Sequence, residues 1–60
     1  MTYKVKFDGN KIFILDAEDD AKAMEKALKI KARYKGFGKV LRLVELDKLF
    51  NEVREVALSR

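Results

Sequence analysis

The sequence predicts a small α+β domain in the order β-β-α-β-α: a three-stranded, mainly antiparallel sheet with two helices on one face. Residues 2–7 alternate apolar and polar side chains, which is typical of a half-buried strand. Residues 20–34 repeat apolar side chains at helical spacing, which is typical of an amphipathic helix. A single sheet with its helices on one face buries both patterns in two layers, and residues 1–60 form one domain.

The first two strands are predicted to form a hairpin, because Asp8-Gly9 separates the alternating segment from the apolar run at 12–15. A two-residue turn would place Ile12 opposite Val5, and a three-residue loop would place Phe13 opposite Val5. We prefer the first register. Either register leaves two large apolar side chains of the second strand on the face away from the core. This exposure predicts docking on a neighbouring protein or self-association as a homodimer.

The first helix is predicted from about Asp20 to Tyr34, with Asp19 as its N-cap and acidic residues near the positive end of its dipole. Gly36 is expected to supply the left-handed backbone conformation that ends the helix. The predicted apolar stripe of this helix comprises Ala23, Met24, Ala27, Leu28, Ile30 and Tyr34.

The last third of the chain is predicted to form one more strand and one more helix. Residues 40–46 are rich in branched aliphatic side chains, which favour a strand. Asp47 is a candidate N-cap for a second helix from Lys48 to Leu58. The apolar stripe of that helix would comprise Leu49, Phe50, Val53, Val56 and Ala57.

The basic residues are concentrated in the middle of a chain whose net charge is +4. Residues 22–42 contain eight Lys or Arg residues, with Glu25 as the single acid. Such a cluster is the electrostatic signature of a surface that binds a polyanion. A basic, solvated surface of a thermophilic protein is the alternative explanation. Within the helix, the basic residues recur every three or four positions and form a ridge on one face: Lys22, Lys26, Lys29 and Arg33.

The segment 33–39 places Phe37 between two glycines, with basic residues on both sides. Such a loop lets Phe37 stack on a base while the lysines meet phosphates. In the alternative, Phe37 folds back and closes the end of the core. The predicted nucleic-acid-binding residues are Lys22, Lys26, Lys29, Lys31, Arg33, Tyr34, Lys35, Phe37, Lys39 and Arg42.

The composition excludes several kinds of chemistry. Cysteine and histidine are absent, and serine and threonine occur once each, as Ser59 and Thr2. Disulfides, zinc sites of the Cys/His type and Ser, Cys or His catalysis are therefore excluded. Helix capping explains the acidic run at 16–20, so we expect no metal there. The remaining carboxylates, lysines and tyrosines form no recognisable catalytic motif, so we expect no enzymatic activity and no cofactor. No apolar run approaches the roughly 20 residues that span a bilayer, so we expect a cytoplasmic protein without a membrane partner.

Two parts of the chain resemble families that bind RNA, and we retain only the second resemblance. Residues 35–40, Lys-Gly-Phe-Gly-Lys-Val, resemble the start of the RNP1 motif of RNA-recognition domains. However, Lys39 and Arg42 stand where that family has stacking aromatics, and a predicted helix precedes the segment, so we do not assign the chain to it.

The second resemblance begins with residues 3–26, a basic hairpin followed by the run Asp16-Ala17-Glu18-Asp19-Asp20-Ala21-Lys22-Ala23-Met24-Glu25-Lys26, and continues through the basic end of the helix and the strand at 40–46. This pattern is similar to the opening of the archaeal ribosomal protein LX family. The resemblance implies a small sheet-and-helix protein attached to ribosomal RNA.

The sequence therefore predicts a small basic RNA-binding module, most concretely a ribosome-associated protein that contacts ribosomal RNA phosphates. One alternative is a homodimeric interaction module that uses the apolar face of the second strand. The other is an architectural protein that binds double-stranded DNA, since a basic helix also contacts duplex phosphates.

Overall fold

A computed structural model describes residues 1–34 and 36–58. Its four strands form one antiparallel sheet in the order β2-β1-β3-β4, and one helix lies against that sheet. No helix within the described part of the chain has the length and apolar character needed to cross a bilayer. The elements are β1 (Thr2–Phe7), β2 (Lys11–Asp16), α1 (Asp20–Arg33), β3 (Val40–Leu46) and β4 (Glu52–Glu55).

The predicted second helix is wrong, and with it the three-stranded sheet with two helices. The segment after β3 forms a tight turn and then β4, which pairs with β3. Asp47 is the reason for the turn: its carboxylate accepts hydrogen bonds from the backbone N–H groups of Leu49 (2.8 Å) and Asn51 (2.9 Å). The backbone N–H of Asp47 also donates to the carbonyl of Asn51 at 3.0 Å. The predicted cap is present, but it closes a hairpin instead of starting a helix.

The preferred register of the first hairpin is also wrong. Val5 lies opposite Phe13, so the connection has three residues, Asp8–Asn10. Both Gly9 (φ 75°) and Asn10 (φ 64°) adopt left-handed conformations, and asparagine tolerates this region better than most residues. This loop turns Phe13 toward the helix.

The other side chains of β2 point to the face of the sheet opposite the helix. Ile12 and Ile14 lie there, and they are 53% and 50% exposed. The prediction that the second strand leaves two large apolar side chains away from the core is therefore confirmed, with a different register from the preferred one.

The core lies between α1 and one face of the sheet. Its largest fully buried side chains on that face are Tyr3, Val5, Phe7 and Leu43. From the helix, Ala23 and Ala27 are fully buried, because small side chains let α1 approach the sheet closely. Met24 and Ile30 pack at the edges of this core, whereas Leu28 and Tyr34 of the predicted stripe are substantially exposed.

Charged side chains cover part of the other face. Val44 lies on that face between Lys4 and Glu55, yet it is only 1% exposed. The guanidinium of Arg42 pairs with Glu55 (3.0 Å) and Glu52 (3.3 Å), and Lys4 also pairs with Glu52. These ion pairs link β1, β3 and β4 and shield Val44 from solvent.

A polar cluster links the start of α1 to β4. The Tyr3 hydroxyl donates to Asp20 Oδ1 at 2.8 Å, and Arg54 donates two hydrogen bonds to the Asp20 carboxylate, at 2.7 and 2.9 Å. Arg54 also bonds Glu45 at 2.9 Å. Burial and the hydrogen bond to Asp20 raise the pKa of Tyr3 to about 12, whereas the hydrogen bonds from Arg54 lower the pKa of Asp20. This cluster orients β4 relative to the helix.

Candidate nucleic-acid interface

The four residues of the predicted basic ridge lie on the flank of α1 next to β2. Lys22 and Lys26 line a recess together with Met1 and residues 16–18. Lys29 and Arg33 line a second recess, which we call the basic groove. Among the described residues, the basic groove is lined by Phe13, Lys29, Ile30, Arg33 and Tyr34. Because β2 is an edge strand, no other strand of the described chain lies beyond this flank.

The two halves of the ridge differ in charge. In the first recess, Lys22 and Lys26 share the surface with the carboxylates of Asp16 and Glu18. Lys22 also lies 3.9 Å from Glu25, and the Lys26 ammonium donates to the backbone carbonyl of Asp16. The positive field of this half is therefore partly neutralised.

The basic groove has no acidic residue in its lining within the described part of the chain. Lys29 and Arg33 form no ion pair with any described residue. The positive charge that an anion meets on this flank is therefore concentrated at the C-terminal half of α1.

Aromatic rings form one side of the basic groove. The Tyr34 ring stacks on Phe37, with centroids 5.1 Å apart and planes at 17°, and lies 5.9 Å from the Phe13 ring. Phe37 also lies 5.4 Å from both Phe7 and Phe13, and its side chain is half-buried. Phe37 therefore closes the end of the core, as in the alternative considered for it, and Tyr34, at 44% exposure, is the more accessible ring.

Backbone hydrogen bonds at the end of α1 position these rings. The Tyr34 N–H donates to the Ile30 carbonyl at 3.0 Å, and the Phe37 N–H donates to the Tyr34 carbonyl at 3.2 Å. The resulting turn returns the chain so that Phe37 packs against Tyr34. Gly36, predicted to be left-handed, is not. Gly38 has the positive φ instead, at 71°, and the chain passes close to Asp8 of the first hairpin there.

Lys31, Lys39 and Arg42 do not line the basic groove. Lys31 follows Leu28 by three positions and Met24 by seven, so it lies on the flank of α1 that faces the C-terminal segment. Lys39 lies in the loop before β3, where its carbonyl accepts from the Asp8 N–H at 3.0 Å. Arg42 is on the opposite face of the sheet. Lys35 lies outside the described residues.

Sequence reasoning missed Phe13 as a residue of this site. In the preferred register, Phe13 pointed away from the helix, whereas the observed three-residue loop brings it beneath α1. The signal was present in Asn10, which directly follows Gly9 and favours a longer left-handed connection.

Comparisons with protein-family models, curated proteins and solved structures found no match. The resemblance to the archaeal ribosomal protein LX family therefore stays a prediction. Among residues 1–34 and 36–58, no group of three or more acidic, His or Cys side chains is arranged to hold a metal ion. The basic groove is thus the candidate site that the geometry favours.

Proposed function

We propose that this protein is a small RNA-binding module that contacts RNA phosphates through the basic groove, and that its cellular partner is ribosomal RNA in the cytoplasm. One observation carries the proposal: Lys29 and Arg33 line a recess that contains no described carboxylate, beside the partly exposed ring of Tyr34. Cations next to an accessible aromatic ring are the two components that nucleic-acid surfaces combine.

The mechanism is electrostatic attraction supported by stacking. Lys29 and Arg33 would neutralise phosphates and release condensed counterions, so affinity should fall as salt concentration rises. Lys22 and Lys26 would contribute less, because Asp16 and Glu18 share their recess. Phosphate contacts position a protein without reading sequence, so this surface suits attachment to a structured RNA.

A simpler explanation accounts for part of the charge. Lys31 and Arg33 lie in the last turn of α1, where cations stabilise a helix by about 0.3–1 kcal/mol through its dipole. The dipole explanation does not account for the aromatic ring beside these cations or for the lack of described carboxylates in the lining of the basic groove. The two explanations predict different RNA affinities for a variant in which the helix remains stable but the groove has lost its charge.

The test is a pair of double variants on the same ridge. Lys29→Glu with Arg33→Glu is expected to weaken binding of an RNA hairpin with a single-stranded tail by about tenfold per residue, since each substitution removes a charge-assisted contact. Lys22→Glu with Lys26→Glu makes the same charge change in the other half and is expected to weaken binding much less. Fluorescence anisotropy gives both dissociation constants, and circular dichroism verifies that both variants are folded.

The proposal fails if Lys29→Glu with Arg33→Glu binds RNA as tightly as the unmodified protein. It also fails if both double variants lose the same affinity, because net charge and not the groove would then govern binding. For the ribosomal partner, the native protein in a cell lysate should sediment with one ribosomal subunit in moderate salt. Recovery only in the light fractions would contradict that part of the proposal.

A second candidate function is a homodimeric interaction module, and the exposure of Ile12 and Ile14 on edge strand β2 favours it. Two copies that pack this face of β2 against each other would cover these side chains. The protein would then have the mass of a dimer by light scattering, and Ile12→Thr with Ile14→Thr would convert it to a monomer. Val53→Thr, at an exposed position of the other edge strand, is the control. A monomeric mass at all concentrations would exclude this function.

A further inference from the structure

We infer that the basic groove binds an unpaired nucleotide, so that the RNA recognised by this protein is single-stranded where it contacts α1. This inference rests on the proposed function and narrows its substrate class. It is carried by three features of the groove: its size, the arrangement of Tyr34 on Phe37, and the spacing of Lys29 and Arg33.

The size of the groove suits one base and its sugar. Its volume is about 330 Å³, at the lower end of the roughly 300–1,000 Å³ found for ligand pockets. The groove is a recess between α1 and β2, and its ring surfaces lie inside it. The bases of an RNA duplex are stacked and paired, and the deep major groove is closed to side chains, so duplex bases cannot reach these rings. A splayed base of a single strand can enter the recess and contact them.

The aromatic arrangement leaves one surface of Tyr34 for such a base. The Tyr34 ring stacks on Phe37 at 5.1 Å and lies 5.9 Å from Phe13, yet Tyr34 is 44% exposed, which leaves side-chain surface open beside that stack. A base placed there continues the stack of Phe37 and Tyr34. The hydrogen bond from the Tyr34 N–H to the Ile30 carbonyl fixes the backbone under the ring, so little ordering is needed on binding.

The cations are spaced for neighbouring phosphates of one strand. Lys29 precedes Arg33 by four residues, which separates them by about 6 Å along the helix axis on the same face. Toward the start of α1, the carboxylates of Asp16 and Glu18 repel further phosphates. The contact is therefore short, with few phosphates, and stacking supplies a large share of the affinity.

The test compares a single-stranded oligouridylate with RNA and DNA duplexes of the same length. The single strand is expected to bind about tenfold more tightly than either duplex, in line with the contribution of one stacked base. Tyr34→Leu is expected to lose about that tenfold while leaving the slope of log K against log salt unchanged, because the slope counts phosphates. Tyr34→Phe keeps the ring and is expected to bind like the unmodified protein.

Tyrosine emission provides a direct readout, because the chain has two tyrosines and no tryptophan. Tyr3 is fully buried, so quenching by a stacked base reports on Tyr34. Quenching by oligouridylate that disappears in Tyr34→Phe supports the inference. Circular dichroism of each variant verifies that the fold is retained.

The outcomes separate this inference from the proposed function. Equal affinity for single strand and duplexes, with loss in Lys29→Glu and Arg33→Glu, overturns the unpaired base and leaves RNA binding standing. Unchanged affinity in a folded Tyr34→Leu variant overturns it as well. If neither single strand nor duplex binds, both fail. Binding of polyglutamate as tightly as oligouridylate would also overturn the inference, because the groove would then select polyanions without using a base.

Discussion

Replacing Phe7 with alanine is expected to lower the free energy of unfolding by about 3–5 kcal/mol. Phe7 is fully buried, and its ring packs edge-on against Phe13 at 6.2 Å and tilted against Phe37 at 5.4 Å. The substitution would leave a cavity at the point where β1, β2 and the loop after α1 meet. A domain of 60 residues has roughly 3–9 kcal/mol of stability in total, so the variant should be largely unfolded at 25 °C.

Urea denaturation followed by circular dichroism measures this loss, and Phe50→Ala is its control. Phe50 is 64% exposed in the turn before β4 and also has a positive φ of 65°, which alanine would retain. The control should therefore change stability by no more than about 0.5 kcal/mol. A similar loss in both variants would contradict the placement of Phe7 at the centre of the core.

The elements that the sequence predicts correctly are those with local signals. β1 alternates apolar and polar side chains, and β3 is rich in branched aliphatic side chains. The helix α1 has both a periodic apolar stripe and an N-cap residue. Asp19 accepts a hydrogen bond from the Lys22 N–H at 2.8 Å, as expected for an N-cap. These signals lie within a few residues of the structure that they specify, so no knowledge of the rest of the chain is needed.

β4 was not predictable because its one local determinant, the Asp47 carboxylate, is equally typical of a helix start, and its other determinants are distant in sequence. Residues 48–58 carry an acceptable helical stripe, but Arg54 finds its partners Asp20 on α1 and Glu45 on β3 only in the folded protein. Pairing with β3 also satisfies backbone groups that would otherwise form an open edge. Tertiary contacts of this kind override a weak local helical preference.

The candidate site was predicted in its charge and missed in its shape. The spacing of Lys29 and Arg33 is a helical property, and it is readable from the sequence. The groove beside them depends on which side of β2 faces α1, and a loop one residue longer than preferred turns Phe13 to that side. A single loop residue thus decides whether the cations lie beside an aromatic ring.

Replacing Gly38 with alanine is expected to destabilise the protein by roughly 2–4 kcal/mol. Gly38 has a φ of 71°, which costs any L-residue, and an added Cβ would lie 2.6 Å from the Cβ and 3.1 Å from Oδ2 of Asp8. The Asp8 N–H donates a hydrogen bond to the Lys39 carbonyl at 3.0 Å, which holds the Asp8 backbone and therefore its Cβ in place. To relieve the contact, the first hairpin must move away from the loop before β3.

Substitutions at the other two glycines separate the two causes of this destabilisation, which are the positive φ and the steric contact with Asp8. Gly9→Ala keeps the positive φ of 75° but meets no atom within 4 Å, so it should cost only about 1 kcal/mol. Gly36→Ala has neither a positive φ nor a close neighbour, and it should be neutral or slightly stabilising.

Adding Asp8→Gly to Gly38→Ala removes the colliding atoms and should recover the steric part of the loss in a double-mutant cycle. Equal melting temperatures for Gly38→Ala and Gly36→Ala would contradict the close approach of the two loops. Because this approach holds the end of α1 against the first hairpin, the variant that separates them should also loosen the aromatic packing beneath Tyr34.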